Sequence, residues 1–217
     1  MKTYYGVIFD LDGTLLDTIA DIGYSANQVL TENDQPTYDL PTYKKFVGRG
    51  FMNLLHRAVP ADTPEEQFPA LLERLLQVYD VHFMDQTVPY PGMVDLVGAL
   101  HAAGIPVAVN SNKRDQYTKA LITKNFPGIP FVDVIGEGAD FPRKPKPDGA
   151  LHIAAKMGLD PQQILYVGDS DTDMQTGHNA GMDTVGCAWG FRGEQELREN
   201  GATYIAYTAE DIRKLFA

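Results

Sequence analysis

Asp10 and Asp12 flank one leucine at the end of the apolar run Tyr5-Gly6-Val7-Ile8-Phe9, and Gly13 and Thr14 follow. A β-branched run that stops in carboxylates sets them at the carboxyl edge of a sheet, where ligands bind in open α/β folds. Two carboxylates about 4 Å apart repel by about 4 kcal/mol at an effective dielectric of 20. A cation between them lets both stay ionised. Mg²⁺ suits such hard oxygens and keeps places for water and phosphate. Asp-x-Asp-Gly is also ordinary turn chemistry. It is half of an EF-hand loop as well, but Leu16 and Thr18 are poor ligands and no glutamate closes the loop.

Three further clusters carry chemistry. Ile105-Pro106-Val107-Ala108-Val109 runs into Asn110-Ser111-Asn112-Lys113. There the Ser111 hydroxyl, with neighbouring backbone and amide donors, can hold a phosphate oxygen. Taken alone, a helix cap is the stronger reading of Ser111 and Asn112, because Tyr117, Leu121 and Ile122 continue at helical spacing. Arg143-Lys144-Pro145-Lys146-Pro147-Asp148 puts Lys144 on a loop stiffened by prolines, fit to neutralise a phosphate and the carboxylate beside it. Lys-Pro repeats are equally common in exposed loops. Finally Gln163 to Gly168 ends at Asp169, with Asp173 one helical turn on. Asp169 can face a metal there, although acids in a first helical turn also suit the helix dipole.

The elements that position these groups alternate. Asp17 or Thr18 can cap a helix through Leu30, and Asp148 a helix through Met157. From Asp17 to Gln86 no strand pattern appears. Pro36, Pro41, Pro60, Pro64 and Pro69 punctuate this stretch, and Leu71, Leu72, Leu75, Leu76 and Tyr79 repeat at helical spacing. About 70 helical residues directly after the first strand are too many for a crossover and read as a subdomain. We therefore expect an α/β core from residues 1–15 and 87–217, with a mainly parallel sheet flanked by helices, and a helical insertion over 16–86. Within it, Val47-Gly48-Arg49-Gly50 is a sparsely covered turn. It either presents Arg49 to an anion or is a helix–helix corner with a solvated arginine.

The 217 residues are 44% hydrophobic, which is enough for a proper core. A formal net charge of −11 argues against nucleic acid or an anionic membrane as partner. One cysteine, Cys187, permits no internal disulfide and fits a reducing compartment. It lies in the apolar stretch Thr184 to Ala188 and reads as core. The first apolar run is cut short by Asp10, too soon for a signal peptide or membrane span. The expected location is the cytoplasm.

The four clusters, in order and over nearly the whole chain, resemble the motifs of the haloacid dehalogenase superfamily of phosphohydrolases. The first motif matches Asp10, Asp12, Gly13 and Thr14; the second matches Ser111; the third matches Lys144 better than Lys146; the fourth matches Gly168, Asp169 and Asp173. The helical insertion is similar to that of the phosphoglycolate phosphatase-like subgroup. So, more loosely, are the Arg49 turn, Pro89-Tyr90-Pro91-Gly92 and Trp189-Gly190-Phe191-Arg192. The resemblance implies that Asp10 attacks phosphorus to form an aspartyl-phosphate and that Asp12 serves as acid, then base. It implies Mg²⁺ on the Asp10 carboxylate, the Asp12 carbonyl and Asp169, with Asp173 orienting the site beside Asp169 or holding Lys144. Ser111, Asn112, Gly13, Lys144 and Arg49 are the implied contacts to a small phosphorylated metabolite. Phosphoglycolate leads as substrate, with pyrophosphate and nucleotides as alternatives. A phosphosugar mutase of the same fold is disfavoured by Thr14 and by Gly168-Asp169, a non-catalytic binder by the presence of both Asp10 and Asp12. A dehalogenase would lack Asp12. A phosphonate hydrolase would need a Schiff-base lysine, and Lys44 and Lys45 sit in no matching motif.

Overall fold

The computed structural model describes residues 2–216. The chain divides into one unit of Met1–Leu16 with Pro89–Ala217 and a second of Asp17–Val88. In the first unit, strand β1 is Gly6–Phe9. The chain leaves it through the short β2, Leu16–Asp17, and returns through β3, Val88–Pro89. The strands that follow are β4 (Val107–Arg114), β5 (Val134–Glu137), β6 (Ile164–Gly168), β7 (Asp183–Cys187) and β8 (Tyr204–Ala206). Six of them form one sheet in the order β5-β4-β1-β6-β7-β8, and all its pairings are parallel. The chain lays β4 and β5 on one side of β1, then crosses to build β6 to β8 on the other. β1 is therefore the switch point, where ligands bind in doubly wound sheets.

A parallel sheet covered on both faces needs strands that are apolar throughout. Every residue of β1 and β6 is accordingly buried. Ile8 packs with Ala108, Ile164 and Tyr166, and against Ala150, Ile153 and Ala154 of the helix Asp148–Met157. Val7 and Phe9 alternate to the opposite face and are also fully buried. Cys187 is buried in β7.

The second unit is helical: α1 (Ile19–Glu32), α2 (Leu40–Phe46), α3 (Gly50–Ala58) and α4 (Phe68–His82). α1 buries Ile19, Ile22, Ala26, Val29 and Leu30, and α4 buries Phe68, Leu71, Leu75, Val78 and Tyr79; the two pack together. Asp39 caps α2 by accepting from Thr42 N, with Pro41 in its first turn. Asp21 is buried on α1. Its carboxylate accepts from Gln86 N, Thr87 N and Thr87 Oγ1 at 2.7–3.1 Å, which ties the returning segment to the first helix.

The remaining helices of the first unit are α5 (Met93–Ala102), α6 (Asp115–Asn125), α7 (Asp148–Met157), α8 (Asp171–Asn179), α9 (Glu194–Glu199) and α10 (Ala209–Arg213). Two sequence expectations are corrected here. Pro147, not Asp148, precedes α7, and Asp148 opens its first turn. Ser111 and Asn112 are not caps: β4 continues through both to Arg114, and α6 begins only at Asp115. Among the described residues no helix is long and apolar enough to cross a membrane.

Candidate active site

The neighbouring strands β4, β1 and β6 bring three of the four clusters to one edge. Asp10 N donates to Val167 O at 2.8 Å, fixing the first carboxylate just beyond β1. The chain then turns tightly, with Leu11 O accepting from Leu15 and Leu16 N–H and Gly13 N donating to Leu16 O. Gly13 has φ 85°, and a Cβ there would fall on the Asp169 carboxylate. The space beside Gly190 is filled by Asp169 in the same way. Two glycines thus let this carboxylate lie against backbone, and Phe191 N donates to its Oδ2 at 2.6 Å.

Beyond β6, Ser170 caps α8 in a box with Asp173. Asp173 Oδ2 accepts from Ser170 Oγ, Ser170 N and Asp169 N at 2.6, 3.1 and 3.2 Å. Its other oxygen accepts from Lys144 Nζ at 2.7 Å, and the same ammonium donates to Asp10 Oδ1 at 2.8 Å. Lys144 is thereby taken out of solvent, so the exposed-loop reading of its Lys-Pro segment does not hold for it. Asn112, expected to contact substrate, also binds the Lys144 backbone. Its Oδ1 accepts from Lys144 N and its Nδ2 donates to Lys144 O, so it positions that lysine. Ser111 Oγ accepts from Lys113 N at 3.2 Å, which leaves the hydroxyl proton to donate.

The electrostatics call for a cation. Burial pushes the Asp10 carboxyl up to about 7 against the pull of Lys144, and Asp173 and Asp12 push it the same way. Burial also raises Asp169 well above the usual carboxylate range, helped by Asp173 and Asp10 and opposed by the Phe191 N–H and Arg192. Although burial disfavours the Lys144 charge, Asp10 and Asp173 hold its ammonium well above the ordinary lysine value. One oxygen from each of Asp10, Asp169 and Asp173 lies within 4.8 Å of the others. Three buried carboxylates against one buried ammonium leave negative charge that a divalent ion would balance, and all three donors are hard oxygens. The residues therefore fit such an ion.

Asp12 turns its carboxylate to Lys113 Nζ, at 3.0 and 3.2 Å from its two oxygens. The sequence reading passed over Lys113, which stands two residues after Ser111 in β4. Arg49 belongs to the helical unit, where it immediately precedes α3.

Comparison with known proteins agrees in kind. Residues 7–187 match the model of the haloacid dehalogenase-like hydrolase family. The chain is 34% identical over 214 residues to a phosphoglycolate phosphatase of Caulobacter vibrioides, covering 96% of this chain and 89% of that one. It is 32% identical to that of Pseudomonas putida, covering 96% and 77%. The crystal structure of a proposed phosphoglycolate phosphatase from Lactobacillus delbrueckii subsp. bulgaricus superposes with a TM-score of 0.93 at 31% identity, covering 100% of this chain and 99% of that one. The motif order, the switch-point carboxylates and these similarities converge: the chain belongs to the haloacid dehalogenase-like hydrolase family.

Proposed function

We propose that this protein is a Mg²⁺-dependent phosphatase of small phosphomonoesters, with phosphoglycolate as its leading substrate. The observation that carries the reading is the buried Asp10–Lys144–Asp173 network with Asp169 beside it at the switch point of the sheet. The names of the relatives support the choice of substrate.

In this reading the Asp10 carboxylate attacks phosphorus, and the bond to the ester oxygen breaks to leave an aspartyl-phosphate. Asp12 gives a proton to the departing alkoxide and then takes one from the water that releases phosphate. Lys144 and the Ser111 hydroxyl donate to the phosphoryl oxygens as charge spreads over them. Asn112 holds Lys144 in place, and Gly13 keeps the turn close to Asp169. Asp10, Asp169 and the Asp12 carbonyl would hold the ion, with Asp173 fixing Asp169 and Lys144. When bound, Mg²⁺ supplies charge that screens the carboxylates and the phosphoryl group. We assign the helical unit, residues 17–88, as the cap that selects substrate, with Arg49 as its candidate anion contact.

The test is phosphate release from phosphoglycolate, pyrophosphate, nucleotides and sugar phosphates, with and without Mg²⁺. Mg²⁺-dependent release from phosphoglycolate above the other compounds is expected. No release from any of them, with Mg²⁺ bound, overturns the reading.

A further inference from the structure

We propose that Lys113 is a specificity-determining residue that favours substrates whose leaving group carries a negative charge. The inference rests on the phosphatase reading above and deepens it. Among the described residues two lysines are buried, Lys113 and Lys144. They serve different carboxylates. Lys144 joins Asp10 and Asp173, on the side of the attacked phosphoryl group, whereas Lys113 joins Asp12, the group assigned to the leaving oxygen.

Lys113 is held at its root. Its N–H donates to Ser111 Oγ and its carbonyl accepts from Thr118 Oγ1, each at 3.2 Å. Its side chain is 3% exposed. Burying an ammonium costs several kcal/mol unless anions repay it. Asp12 is such an anion before substrate binds, and a substrate carboxylate serves in its place while Asp12 carries the proton for the leaving oxygen.

In a glycolate leaving group the carboxyl carbon is two bonds from the ester oxygen. A carboxylate so close to the atom that Asp12 addresses also lies within reach of an ammonium 3.0 Å from Asp12. A lysine can divide its three N–H donors between two carboxylates. A neutral leaving group of the same size offers Lys113 nothing, and a cationic one is repelled. Lys113 thus reads the charge of the leaving group next to the residue that protonates it.

The test compares phosphoglycolate, 2-hydroxyethyl phosphate and phosphoethanolamine, which are close in size and carry a negative, neutral and positive leaving group. Values of kcat and KM are measured with Mg²⁺ for the wild type, Lys113→Met and Lys113→Arg. A charge-assisted hydrogen bond corresponds to about 10- to 100-fold. The wild type should prefer phosphoglycolate over 2-hydroxyethyl phosphate by that factor in kcat/KM. Lys113→Met should bring the ratio near one, chiefly through KM, and Lys113→Arg should restore most of it. The ratio is internal to each protein, so a loss common to all substrates does not enter it. An unchanged ratio in Lys113→Met overturns the proposal.

Equilibrium binding to Asp10→Asn protein tests the same point without turnover. Asp10→Asn should bind phosphoglycolate more tightly than 2-hydroxyethyl phosphate, and the double variant with Lys113→Met should not. Equal discrimination by both proteins overturns the proposal. If the wild type releases phosphate from none of the three while this binding preference holds, phosphoglycolate fails as the substrate and Lys113 keeps its role in binding the charged group.

Discussion

The two units bury charge in opposite ways. In the helical unit Asp21 is the one charged residue buried among the described residues, and backbone and hydroxyl donors of Gln86 and Thr87 satisfy it locally. In the sheet unit Asp10, Lys113, Lys144, Asp169 and Asp173 are all buried at or beside one edge; Lys144 answers Asp10 and Asp173, and Lys113 answers Asp12. A carboxylate answered by neutral N–H groups is a tie, complete without a ligand. A cluster with more carboxylates than ammoniums is incomplete until a cation arrives. Burial alone therefore does not mark a site; several buried carboxylates gathered around too few ammoniums do.

The largest expected effect is on turnover. Asp10→Asn should cut phosphate release from phosphoglycolate by on the order of 10⁴-fold or more, as loss of a nucleophile does, while the folded state persists by circular dichroism. Next is Lys144→Met. Removing the one ammonium shared by Asp10 and Asp173 should cost about 3–5 kcal/mol in denaturant unfolding, and Mg²⁺ should recover part of it. Asp21→Ala should cost about 1–3 kcal/mol by orphaning the donors of Gln86 and Thr87, and Mg²⁺ should recover none. Equal recovery of both variants would erase the distinction between tie and site.

The subtlest expected effect is on pH. The folded Asp10 carboxyl lies near 7, above its ordinary 3.8. Its protonated form therefore favours the folded state, fully below about 3.8, and that contribution is lost as pH rises to about 7. In EDTA the stability of the wild type relative to Asp10→Asn should fall over this window. Saturating Mg²⁺ should flatten the fall, because an ion that binds only the folded state stabilises it. A difference that does not vary with pH would contradict the buried, like-charged picture.

Much of this was legible in the sequence, for identifiable reasons. The core strands are buried on both faces, so they read as unbroken apolar runs, and each polar residue that ends a run marks the functional edge. Asp10, Asp12 and Asp169 stand out that way, and Asp173 by following Asp169 one helical turn on. The rest depends on distance in sequence. Asp21 looks like any acid in a first helical turn because its partners are 65 and 66 residues away. Ser111 and Asn112 read as a cap because the continuation of β4 to Arg114 is set by pairing with β5, which no local signal carries. The hold of Asn112 on the Lys144 backbone is invisible locally because its partner is 32 residues on. Lys113 is missed because a lysine is by default a solvated residue. Only the turn after β1, which brings Asp12 to it, makes it a buried partner.

The most direct test of the central claim is to catch the phosphoryl group on the protein. Wild type and Asp10→Asn would be mixed with phosphoglycolate and Mg²⁺, quenched in acid within one turnover, digested and mapped by mass spectrometry. The account predicts phosphate on the Asp10 side chain of the wild type and none in Asp10→Asn. Phosphate on another residue, or steady turnover by Asp10→Asn, would contradict it.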